Sequence, residues 1–140
     1  MRRMTRYGLM LVLVCMTACG TSSPDEEVTT ELQTIASWAA TAHMVADAWT
    51  RGAVPTAYAK QSLQTAQQTL QDEAQTFSQS PAATTQRGAA LLQALQQLER
   101  MLGMMAQAVE REDRALLATQ IAQLTVEEQH LSEFGKIGGA

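Results

Sequence analysis

The chain has 140 residues, of which 46% are hydrophobic, 17% charged and 4% aromatic, and its formal net charge is −4. One modest core is the most that such a length supports once its terminal segments are set aside. Ten Lys or Arg stand against fourteen Asp or Glu without forming a basic cluster, which makes nucleic acid a poor partner, and both cysteines fall in the first nineteen residues, which leaves no disulfide framework for a fold.

Arg2, Arg3 and Arg6 give the chain a cationic start, and Gly8 to Met16 is an apolar run. At about ten residues this run is half of the roughly 20 that a helix needs to span a bilayer, so it reads as a signal-peptide core outside the fold. Met16-Thr17-Ala18-Cys19 closes the run with small residues before a cysteine. These features resemble the bacterial lipoprotein signal and its lipobox, with Met16 where the family usually carries Leu. The resemblance implies cleavage after Ala18, diacylglycerol on the Cys19 sulfur, an N-acyl chain on its amine, and residence at the bilayer surface of a bacterial envelope. Two other readings are a secretory signal cut after Ala18 without lipidation, and an uncleaved short anchor. The family's inner-membrane retention signal is typically Asp after the lipidated cysteine. Gly20 stands there, which favours the outer membrane in a Gram-negative host.

Removal of residues 1–18 leaves seven Lys or Arg against fourteen Asp or Glu, a net charge of −7 that repels anionic lipid heads and phosphate backbones. Cys15 leaves with the signal and Cys19 is consumed by lipid, so the exported body has no free thiol. Residues 19–27, continuing from Cys19 as GTSSPDEE, are small, polar and interrupted by Pro24, and they read as a flexible tether. Eight extended residues reach roughly 25 Å, far enough to hold the body clear of the lipid heads.

From Val28 to residue 134 the apolar spacing is helical. Val28, Leu32, Ile35, Ala39, Ala42, Ala46 and Trp49 alternate by four and three along one seam, and Gly52 suits the C-terminal cap. After Pro55 a second seam comprises Ala59, Leu63, Ala66, Leu70, Ala74 and Phe77, with its seven glutamines as an uncharged solvated face. Ser80-Pro81 supplies the cap and first position of a third helix, whose seam is Gly88, Leu91, Leu95, Leu98, Leu102, Met105 and Val109. The polar run Glu110 to Asp113 predicts a turn with Asp113 as the next cap. Leu117, Ile121, Leu124 and Leu131 then carry a fourth seam, which a Gly-rich tail at 135–140 ends. Nothing reads as a strand. Short connections between four helices predict an up-down-up-down four-helix bundle. The runner-up is a three-helix fold with the last two segments continuous through Asp113.

Chemistry-bearing residues are few. Glu127-Glu128-Gln129-His130 has one Glu-x-x-His spacing, whereas a di-iron bundle needs two such motifs and two further glutamates. Ala40 occupies the position where His43 would need its glutamate. The predicted seam puts Glu128 inward, Glu127 at the margin and His130 outward. Counted from the turn end, His43 and His130 are offset by nine residues, or about 13 Å, too far for one metal ion. His43 falls level with Met101, Met104 and Met105, a donor set that suits Cu(I), although methionine commonly fills helical cores. No nucleophile stands beside a base, no Cys-x-x-Cys-His haem attachment exists, and adjacent carboxylates such as Asp72-Glu73 point apart. The sequence therefore predicts a non-enzymatic lipoprotein that binds an envelope protein or scaffolds an assembly, with Trp38, Trp49, Tyr58 and Phe77 as candidate contact aromatics. The alternative is a carrier of copper, haem or a small apolar molecule between helices one and three.

Overall fold

The computed structural model describes residues 22–137, and over that span the chain is all-α. Cys19, the segment read as a signal, and Gly138 with Gly139 lie outside the described residues. Four long helices, α1 (Pro24–Thr50), α2 (Thr56–Ser78), α3 (Gln86–Glu110) and α4 (Arg114–Ile137), are joined by short turns, with a 3-10 turn at Pro81–Thr84 before α3. The helices are 23 to 27 residues long.

α1 starts four residues earlier than its apolar seam. Ser23 caps it through a reciprocal box, in which the Glu26 amide donates to Ser23 Oγ at 3.3 Å and the Ser23 amide donates to the Glu26 carboxylate at 3.2 Å. Pro24 sits in the first turn, and Asp25, Glu26 and Glu27 place negative charge against the positive end of the helix dipole. The residues expected in the tether from Pro24 onward are thus helical. The other end closes as the sequence predicts: Gly52 takes φ +71°, the Gly52 amide donates to the Trp49 carbonyl, and the Ala53 amide donates to Ala48.

The break between α3 and α4 uses the same closure without glycine. Glu112 holds φ +55°, the Asp113 amide donates to the Ala108 carbonyl, and Asp113 Oδ1 caps α4 by accepting from the Leu116 amide at 2.9 Å. This break removes the three-helix alternative. Two predicted boundaries move. Ser80 caps only the four-residue 3-10 turn, while Thr85 caps α3 by accepting from the Gly88 amide at 2.9 Å. α4 does not stop at Gly135 but continues to Ile137.

Every predicted seam residue of α1, α2 and α3 is buried, and all of them except Gly88 join Leu117, Leu124 and Leu131 of α4 in one apolar cluster. The alanines at 39, 42 and 46 keep the buried face of α1 thin, which lets α1 contact each of the other three helices. The α2–α3 contact is the most extensive, and no Cα of α2 comes within 8 Å of one in α4. Among the described residues no helix is long and apolar enough to cross a membrane.

Candidate functional site

The buried face of α4 is where apolar packing gives way to polar chemistry. Its inward row is Leu117, Gln120, Leu124, Glu127 and Leu131, with Ile121 only partly buried at the margin. The predicted placement is therefore corrected by about one position. Glu127, at 8% exposure, occupies the seam, and Glu128 lies beside it. The 3-4 rhythm through 117, 120, 124, 127 and 131 is regular, so burial of the flanking leucines carries the two polar residues inward.

Consecutive residues on a helix are rotated by about 100°, and Glu127 and Glu128 use that angle to address different neighbours. Glu128 accepts from or pairs with His43 Nδ1 on α1 at 2.9 Å, in a contact about one-third exposed on either side. Glu127 faces α3, where Gln97 Nε2 donates to it at a long 3.5 Å, and His130 Nδ1 of its own helix approaches at 3.8 Å. The Glu-x-x-His spacing thus produces a one-turn contact within α4. Among the described residues no three His, Cys, Asp or Glu side chains converge as a metal-holding group. His43 meets a residue only two positions from His130 although the counted offset of the two histidines is nine residues. Helical side chains lean toward their own N-termini, so two residues can touch without their Cα atoms being level.

Among the described residues two buried side-chain oxygens have no partner. One is Gln120 Oε1 on the α4 seam and the other is Glu31 Oε1 on α1. Burial raises the Glu31 carboxyl to a pKa of about 7, and the carboxylates of Glu73 on α2 and Glu27 one turn earlier add to the rise. The reverse holds for Glu110, which a hydrogen bond from Lys60 and the charge of that ammonium hold below the usual carboxylate range. Neither orphan was anticipated, although Gln120 lies on the apolar spacing and Glu31 lies three residues after Val28.

Met101, Met104 and Met105 all lie on α3, whereas the polar contact of His43 is to Glu128 on α4. Met101 and Met105 are core side chains, and Met104, 44% exposed, lines an open groove of about 470 Å³ on the outer face of α3 with Gln67, Gln97, Gln107 and Gln123. His43 lies instead between α1 and α4 with its Nδ1 engaged by Glu128. Of the four aromatics, Phe77 and Trp49 are buried, and the Trp49 indole donates to Thr56 Oγ1 at 3.0 Å. Trp38 packs against the core part-buried, and Tyr58 is 56% exposed. Arg114 covers the Trp49 ring at 5.1 Å and donates to the Thr50 carbonyl, a tie between α4 and the end of α1. Compared with known protein families, with curated proteins and with solved structures, the chain gives no match.

Proposed function

We propose that the protein is a bacterial envelope lipoprotein, anchored through diacylglycerol and an N-acyl chain on Cys19, whose helical body is a non-catalytic module for binding another envelope protein or scaffolding an assembly. The observation that carries the reading is the succession of a cationic start, an apolar run too short to span, and Thr17-Ala18 before Cys19. Gly20 favours the outer membrane where the host has one.

The body is read as an up-down-up-down four-helix bundle. Support comes from the pairing of helix ends: Arg114 at the start of α4 meets Thr50 at the end of α1, and Lys60 near the start of α2 meets Glu110 at the end of α3. Asp25 and Arg87, both near helix starts, pair between α1 and α3. Opposed ends for the first two pairs and like ends for the third are what this topology requires.

A binding role fits a body in which several polar contacts, His43 with Glu128, Lys60 with Glu110 and Gln67 with Glu99, join one helix to another. The carrier alternative has less support, because Met105 is fully buried in the core and His43 does not line the groove that Met101 and Met104 share. Fractionation of cells expressing Cys19→Ser tests the anchor, with the wild type expected in the membrane fraction and the variant released. Crosslinking in intact envelopes tests the binding role: recurrent capture of one envelope protein supports it, and capture of nothing above background counts against it.

A further inference from the structure

We propose that the end of the body made by the start of α1, the start of α3 and the end of α4 rests on the bilayer that holds the anchor, with Ile137 entering the lipid interface. The inference rests on the lipoprotein reading and adds an orientation and a contact residue to it. Because Ser23 caps α1, only Gly20, Thr21 and Ser22 separate the acylated cysteine from the first helix. Four Cα steps reach at most about 14 Å. The polar headgroup layer of one leaflet accounts for roughly 5 to 8 Å of that. The first turn of α1 is therefore confined to within about 10 Å of the lipid heads.

Three contacts bring α3 and α4 to the same end. Arg87 pairs with Asp25 at 3.6 Å, its guanidinium lies 5.5 Å from the Phe134 ring centre, and Gly135 packs against the Leu32 side chain. One turn beyond, Ile137 is 82% exposed, the most exposed large apolar residue described, and Lys136 precedes it. Neighbouring helix axes lie 8 to 10 Å apart, so Ile137 is about one helix diameter from the tether. A contact too weak to bind a free protein becomes populated when the anchor makes it intramolecular.

Charge sets the kind of lipid. Asp25, Glu26, Glu27 and Glu133 outnumber Arg87 and Lys136 at this end, so anionic lipid weakens the contact and added salt restores it, the reverse of a polybasic membrane protein. The opposite end, with the Thr50–Pro55 and Glu110–Arg114 turns, stands about 36 Å away along the 24 residues of α4 and remains free for a partner.

The test uses the native lipidated protein in phosphatidylcholine vesicles, with a fluorophore at Ile137→Cys or at Ala53→Cys and a shallow spin-labelled lipid as quencher. The expected result is quenching at 137 several-fold greater than at 53, reduced when a third of the lipid is phosphatidylglycerol and recovered in 0.5 M salt. Equal quenching at the two sites, in protein that co-floats with vesicles, overturns the orientation and leaves the anchor standing. Protein that does not float and carries a free Cys19 thiol overturns both.

Discussion

The Glu31 carboxyl couples the stability of the body to pH. Its folded pKa of about 7 lies above the ordinary value of 4.5, so its contribution is fully present below pH 4.5 and is lost as pH rises through 7. After allowance for its partial exposure, the loss amounts to about 1 kcal/mol, or a few degrees of Tm. Thermal melts of wild type and Glu31→Gln at pH 5 and pH 8 are expected to show a variant gain at pH 8 that shrinks at pH 5; an equal gain at both would assign the effect to something other than the proton. Gln120 is the simpler case. Its buried oxygen lacks a donor, so Gln120→Met, which keeps the shape and removes the polar atom, is expected to stabilise the fold by about 1 kcal/mol in urea unfolding. The two helical glycines of α3 differ in the same physical terms. A Cβ at Gly88 would lie 1.8 Å from the Ala82 carbonyl oxygen, which is backbone, whereas one at Gly103 would meet the flexible end of Gln67. Gly88→Ala is expected to destabilise by about 2 kcal/mol or more, and Gly103→Ala to be neutral or stabilising by up to about 1 kcal/mol, since alanine is the better helix former.

At the scale of elements, the α3–α4 turn offers a pair of opposed tests. Glu112 pays the left-handed penalty that Gly52 avoids at the matching α1 turn, so Glu112→Gly is expected to raise stability by about 0.5 to 1 kcal/mol. Asp113→Ala removes the α4 cap and is expected to lower it by about 1 kcal/mol, both read by denaturant unfolding. The same elements show where the amino-acid sequence speaks clearly. In α1, α2 and α3 each inward position is apolar or small, so the 3-4 spacing alone identifies the buried face. In α4 two of five inward positions are polar, and the apolar Ile121 beside them drew the predicted seam one residue too far. The start of α3 was displaced because Ser80-Pro81 carries a genuine capping signal, satisfied in the structure by a 3-10 turn rather than by the long helix. Pairings such as His43 with Glu128 depend on how two helices are staggered and on which way their side chains lean, neither of which periodicity within one helix encodes.

Across the whole molecule, stability comes from a single apolar cluster of leucines and alanines, supplemented by polar ties at the interfaces and ends of the helices. On the proposed lipoprotein reading, function depends more on address than on chemistry, because an anchor at Cys19 would determine which partners the body can meet. Intact-mass measurement of the native protein from the membrane fraction tests this most directly. The account predicts a chain that begins at Cys19 and carries the mass of a diacylglycerol and one further acyl chain. An unmodified thiol at Cys19, or a product that still contains residues 1–18, would contradict it.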